Sequence, residues 1–291
     1  MIKLPYIEGF DYQKQPYDEY IQDTIDLVGL DGWELEDLGL CSDNENHIYG
    51  LSLGDPNKPT IFLTQTHGLS EWRTCYWIRG FAKELVNPSN PILEKYMLDL
   101  RQRFHFYVIP CLNVYGYINN TRWNANRVDL NRNFPPFWDD FVVEDPDNWG
   151  TKGSAPFSEV ESQIIRDKVQ ELKPVMFLDF HTWGDLQGGT NHLCAPGYER
   201  FWRLGRDIVN SQRITYPKEQ TFWVPPSERP TAPNWAATVK SDSGFYPMVG
   251  NPESGGGMPE YIQAELGMTM IFTYCWHMYR YMETRSLVNT L

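Results

Sequence analysis

The sequence predicts an α/β fold built as one domain. Three observations carry this. Segments with helical spacing alternate with short apolar runs throughout the chain, the order expected when helices pack on a largely parallel or mixed sheet. One of the apolar runs, VMFLDFH (175–181), suits a buried strand. No internal repeat, low-complexity tract or compositional shift divides the 291 residues.

The elements follow in order. Tyr17, Ile21, Ile25 and Val28 share one face of a helix near 16–29. HIYGLSLG (47–54) and PTIFLTQT (59–66) read as strands joined by an Asp-Pro-Asn turn. EWRTCYWIRGFAKELV (71–86) is helical, with its aromatics packing, and a second helix starts at NPILEKYMLDLRQRF (90–104). FHFYVIPCLN (104–113) is an apolar strand in which His105 is structural. SEVESQIIRDKVQEL (158–172) is a helix opened by a Ser-x-x-Glu capping box. After the strand at 175–181, a helix is expected near 197–211. A long loop with five prolines covers 215–235, and a Gly-rich stretch covers 244–259. EYIQAELG (260–267) reads as a strand and 268–285 as a buried helix. The first 50 or so residues form an unassigned extension packed on the single domain 1–291.

Composition narrows the function. A net charge of −13 argues against nucleic acid, whose binding needs a basic face. Aromatics make up 15% of the chain, which suits an enzyme or a peptide- or sugar-binding surface. The longest apolar run is too short to span a membrane, and the start, MIKLPYIEGFDYQ, lacks the apolar core of a signal peptide. Five scattered cysteines support neither a disulfide framework nor a thiolate zinc site, so buried thiols in a reducing, cytoplasmic compartment are expected.

The chemistry concentrates in a few places. TRWNANRVDLNRNF (121–134) brings three arginines into one short segment of an acidic chain. A guanidinium is a planar fork suited to carboxylates, so the segment reads as the wall of an anion pocket. His67 and His181 end two predicted strands, where ligands bind in open α/β sheets. With Glu71, four residues after His67, they make a set of two imidazoles and one carboxylate that suits zinc and leaves a fourth position for water. His192 is a weaker candidate from a nearby loop.

These segments, in this order, resemble the zinc carboxypeptidases of the carboxypeptidase A-like (funnelin) family. The resemblance runs over roughly 55–285. It rests on THGLSEW (66–72), PCLNVYGYINNTRWNANRVDLNRNF (110–134), GSAPFSEVES (153–162), LDFHTWG (178–184) and YIQAELG (261–267). It implies a central mixed, twisted sheet of about eight strands with helices on both faces. It implies one Zn²⁺ held by His67, Glu71 and His181, with Asp129 fixing the tautomer of a ligand histidine. Arg122 would face the scissile carbonyl, Asn131 and Arg132 would grip the substrate's terminal carboxylate, and Glu265 would be the general base. Tyr246 is the implied substrate-binding tyrosine, and Arg127 is left as a solvated loop charge. The implied activity is removal of a C-terminal residue from a peptide or another small carboxylate-terminated substrate.

One departure concerns the metal loop. The family's loop has two residues between histidine and glutamate, and this chain has three: Gly68, Leu69 and Ser70. A one-residue bulge at Gly68, whose backbone reaches angles closed to other residues, would keep Glu71 on the metal. Two alternatives stand beside the peptidase reading. One is a hydrolase of N-acyl amino acids or of γ-glutamyl or cell-wall peptides on the same fold. The other is a binding module without catalysis.

Overall fold

A computed structural model of the chain describes residues 14–29, 32–89, 91–135, 138–139, 141–143, 145–181, 192–196, 222–223, 244–248, 257–266 and 270–275. Among these, seven α-helices are seen: α1 (Tyr17–Asp26), α2 (Arg73–Val86), α3 (Pro91–Arg103), α4 (Val114–Asn119), α5 (Pro146–Trp149), α6 (Val160–Leu172) and α7 (Met258–Leu266). Nine strands are seen: β1 (Trp33–Leu40), β2 (His47–Leu53), β3 (Thr60–Gln65), β4 (His105–Val108), β5 (Met176–His181), β6 (His192–Pro196), β7 (Phe222–Trp223), β8 (Gly244–Met248) and β9 (Met270–Cys275). They form one mixed sheet in the order β1-β2-β4-β3-β5-β9-β6-β8-β7. None of the described helices is long and apolar enough to cross a membrane.

The central strands alternate their side chains between two cores, as the period of two in a strand requires. Ile61 and Leu63 of β3, Phe106 and Val108 of β4, and Leu178 and Phe180 of β5 join Ile78, Phe81 and Leu85 of α2 and Leu93 and Met97 of α3. Phe62, Tyr107 and Phe177 point the other way, to Tyr20 of α1, Tyr117 of α4, Ile165 and Val169 of α6, and Ile262 of α7. Helices therefore cover both faces, and the middle strands β3, β4 and β5 are buried at every position. His105 is structural, as expected. It is buried between the Ser52 and Thr60 hydroxyls at 2.9 and 3.0 Å, and burial lowers its pKa.

Four readings of the sequence change. The first concerns the unassigned N-terminal stretch: among its described residues, β1 and the start of β2 are strands of the main sheet, and Tyr17 and Tyr20 of α1 belong to its core. β1 escaped notice because WELEDLGL is an edge strand whose charged residues blur the alternation. The capping box at α6 does not form: Glu159 is the N-cap, and Glu161 turns away to accept from the Ser42 amide at 3.0 Å.

The last two readings are exchanged. Residues 258–266 are helical where a strand was expected, and 270–275 form a strand where a helix was expected. Met258, Tyr261 and Ile262 are buried at helical spacing in a segment of good helix formers, with Pro259 in the first turn, where its missing N–H costs nothing. MIFTYC is rich in β-branched and aromatic residues, and it pairs in parallel with β5 along its whole length. The expected helix 197–211, all of the expected loop 215–235 but 222–223, and residues 249–256 and 276–285 lie outside the described residues.

Candidate metal centre

β3 and β5 are parallel neighbours, so their C-terminal ends lie side by side. His181 is the last residue of β5, and His67 lies just beyond β3. The chain then turns through a short 3-10 helix, Leu69–Trp72, that carries Glu71 back over the strand ends. The Glu71 amide donates to the Gly68 carbonyl at 2.9 Å, and the Thr74 hydroxyl donates to the Glu71 carbonyl at 2.7 Å.

The extra residue of this loop is absorbed at Leu69, not at Gly68. Leu69 has φ +49, the left-handed region, and its side chain is 46% exposed. Gly68 is needed for a different reason. A Cβ there would collide with the backbone of Gly116 and the carbonyl of Thr121. The metal loop is thus laid directly on the segment that leads to the arginines.

His67, Glu71 and His181 converge in the interior. His67 Nδ1 lies 2.9 Å from one Glu71 oxygen, His181 Nδ1 lies 3.0 Å from the other, and the two Nδ1 atoms are 3.1 Å apart. All three residues are buried, and their donor atoms lie within 4.8 Å of one another. On their far sides, His67 Nε2 is 2.9 Å from Asp129 Oδ1 and His181 Nε2 is 2.6 Å from Asp179 Oδ2. Each ring can donate its Nε2–H to a carboxylate, which leaves the Nδ1 lone pairs facing inward. Two imidazole nitrogens and a carboxylate then present a donor set that fits zinc.

The electrostatics agree. Burial pushes the Glu71 carboxyl up, but the two histidines beside it outweigh this and hold it well below the usual range. Burial pushes His181 down, but Asp179 and Glu71 outweigh this and raise it well above an ordinary histidine. Both directions share one cause, the attraction between the buried carboxylates and the histidines beside them.

Two members of the arginine segment, Arg122 and Asp129, reach the cluster. Arg122 Nε donates to Asp129 Oδ2 at 2.7 Å, and Arg122 Nη1 is 3.6 Å from Glu71 Oε1. Burial works against the Asp129 charge, but Arg122 and His67 hold its carboxyl well below the usual range. Asp129 also caps the short Leu130–Arg132 turn by accepting from the Asn131 amide at 3.0 Å. Asn113 ties the segment in place: it accepts from the Gly116 amide at 2.9 Å and donates to the Arg122 carbonyl at 3.1 Å.

Asn131 and Arg132 sit half-buried on the next turn. The Asn131 side chain accepts from the Met258 amide at 2.8 Å, and the Arg132 guanidinium lies over the Phe141 ring. Arg127 is 54% exposed and pairs loosely with Asp147, in line with a solvated loop charge.

Glu265 belongs to α7, not to a strand. It is exposed near the end of α7, seven residues after Met258, or about 10 Å along the helix axis. Its charge acts on Tyr261, which Arg166 and Asp167 of α6 also influence. For Tyr246 and His192 the backbone lies in β8 and β6, and nothing further is described.

Asp179 went unremarked in the sequence. The signal was available: an acid inside an apolar strand, two residues before a candidate ligand and so on the same face of the strand.

Comparisons with known proteins bear on this site. The family model described as zinc carboxypeptidase (peptidase M14) matches residues 36–276. Mast cell carboxypeptidase A of Homo sapiens is 29% identical over 199 residues, which is 59% of this chain and 46% of that protein. Carboxypeptidase B of Bos taurus is 31% identical over 160 residues, 48% of this chain and 38% of that protein. A third relative, the inactive metallocarboxypeptidase ecm14 of Sclerotinia sclerotiorum, is 24% identical over 238 residues, 72% of this chain and 38% of that protein. The chain thus spans about half or less of the length of these relatives. Among solved structures, thrombin activatable fibrinolysis inhibitor superposes with a TM-score of 0.72 at 16% identity, covering 97% of this chain and 72% of that one. Carboxypeptidase A from Helicoverpa armigera superposes with a TM-score of 0.65 at 19% identity, covering 92% and 66%. At these identities the superpositions speak for the fold.

Proposed function

The chain belongs to the zinc carboxypeptidase family, and from that premise we propose that it hydrolyses the C-terminal peptide bond of peptide substrates at one zinc ion held by His67, Glu71 and His181. The observation that carries this reading is the convergence of the two Nδ1 atoms and the Glu71 carboxylate, buried and beside Arg122. Bound zinc supplies a Lewis acid and a water whose pKa falls from near 16 to about 7.

The side chains have distinct tasks. Arg122, tied to Asp129, offers positive charge next to the ligand set, where an oxyanion develops during attack on an amide. Asn131 and Arg132 grip the free carboxylate, so a chain end binds where a mid-chain peptide does not. Tyr246 is assigned to the substrate through the family resemblance.

The general base separates two readings. The resemblance assigns it to Glu265, but the exposed position of that carboxylate on α7 argues against this role. β9, which runs beside His181, reads MIFTYC and contains no acid. This observation favours a second reading, in which the chain holds zinc and binds carboxylate-terminated peptides without cutting them.

One experiment separates them. Zinc-loaded protein is given N-blocked dipeptides, with N-acyl amino acids and γ-linked and D-residue peptides alongside. Catalytic release of the C-terminal amino acid supports hydrolysis, and the panel reports the substrate class. Saturable binding by calorimetry without release supports the binding module. Under hydrolysis, Arg122→Ala lowers kcat by about 10²–10³-fold. Absence of bound zinc in the purified, zinc-treated protein overturns both readings.

A further inference from the structure

Both ligand histidines are backed by a carboxylate, and the second of these, Asp179, has no assigned role. Asp179 is fully buried in β5. Its Oδ2 lies 2.6 Å from His181 Nε2, and its Oδ1 accepts from the Thr66 hydroxyl at 2.7 Å. Thr66 is itself fully buried and directly precedes His67. The two described partners of Asp179 therefore link it to both ligand-bearing strand ends. Its mirror image on the other side of the cluster is Asp129, which accepts from His67 Nε2 but is also ion-paired with Arg122 at 2.7 Å.

We propose that Asp179 is the positioning residue of the second metal-binding histidine, and that Thr66 fixes it in that role. The carboxylate accepts the Nε2–H of His181. This selects the tautomer with a free Nδ1 lone pair and holds the ring so that the lone pair faces Glu71 and His67. The Thr66 hydroxyl occupies the other oxygen and prevents the carboxylate from turning away. Among the described residues no arginine or lysine is paired with Asp179, so its negative charge acts on the histidine and on whatever cation the histidine binds. A buried carboxylate in that position strengthens the attraction for a divalent cation. Asp129, with Arg122 attached, does this less.

The inference rests on the metal-binding reading above, and the test keeps the two separable. Zinc affinity is measured by competition with a chromophoric chelator for wild type, Asp179→Asn, Thr66→Val and Thr66→Ser. Cobalt(II) spectra of the same proteins report the ligand field, and thermal unfolding of the metal-free forms reports the fold. Asp179→Asn keeps the shape and removes the charge, and it is expected to weaken zinc binding about 10–100-fold with an altered cobalt spectrum. Thr66→Val is expected to weaken binding by a smaller factor, and Thr66→Ser to restore it by keeping the hydroxyl. If wild type binds no zinc, the metal reading itself fails. If wild type binds zinc and the folded Asp179→Asn and Thr66→Val proteins match it in affinity and cobalt spectrum, the role of Asp179 is overturned and the metal reading survives. Should Asp179→Asn not fold, the Thr66 pair decides: weakening by valine with rescue by serine supports the role, and equal affinities refute it.

Discussion

Two adjacent residues of the metal loop meet different physical limits. Gly68 is fixed by space: its Cα faces the Gly116 backbone and the Thr121 carbonyl, neither of which can step aside as a side chain could. Gly68→Ala is expected to push the loop off the arginine segment, costing about 1–3 kcal/mol of stability and most of the zinc affinity. Urea unfolding and chelator competition measure the two losses separately. Leu69 is fixed by torsion: a left-handed leucine with an exposed side chain holds strain and contributes little packing. The left-handed conformation costs a branched-chain residue about 1–2 kcal/mol, partly offset in glycine by its greater freedom when unfolded. Leu69→Gly is therefore expected to raise the stability of the metal-free protein by about 0.5–1 kcal/mol, and an unchanged urea midpoint would refute the strain. Glu71 was legible as a candidate ligand despite the altered spacing, and it lies with His67 and His181. What the spacing could not reveal was which residue would take the unusual torsion, because that depends on Gly116, which packs on the loop from about 50 residues away.

At the scale of elements, most of the fold was legible because the apolar periodicity is strong. The neighbouring strands β3 and β5, the helices α2, α3 and α6, and the short strand β4 all lie where their patterns put them. Edge and late elements were harder. β1 hid behind its charges, and the α7–β9 pair was read the wrong way round because a family pattern was laid over YIQAELG, against the buried i, i+3, i+4 spacing of Met258, Tyr261 and Ile262. That exchange has a functional consequence. With Glu265 exposed on α7, Glu265→Gln is expected to leave zinc affinity, substrate affinity and any turnover within about twofold of wild type, since surface changes away from special contacts have small effects. A loss of turnover of a hundredfold or more in the folded variant would return Glu265 to the catalytic role. The position of Asp179 on β5, two residues from His181, was equally open to a period-of-two reading, but an acid in an apolar run gave no hint of its hydroxyl partner Thr66, just beyond β3.

For the whole molecule, the metal site fastens together parts of the chain that lie far apart in sequence. Its side chains come from the end of β3, the arginine segment and the end of β5. A cation that binds this arrangement and not the unfolded chain stabilises the fold by about 4 kcal/mol when free zinc is a thousand times its Kd. For a domain of this size each kcal/mol moves the melting temperature by roughly 2–4 °C. Chelation is thus expected to lower Tm by about 10 °C, and a scan that shows no shift would refute metal linkage to folding.

The strand order carries a consequence for biosynthesis. β5 and β6 follow one another in the chain, yet β9 lies between them. Until residues 270–275 leave the ribosome, the strand that ends in His181 has one unpaired edge in the middle of what will become the sheet. Nascent chains that have completed β1 to β5 therefore expose an apolar parallel edge for the time taken to make about 90 further residues, some 5–20 s at ordinary elongation rates. Stalled or prematurely terminated chains lacking β9 are the forms on which chaperones and degradation should act first.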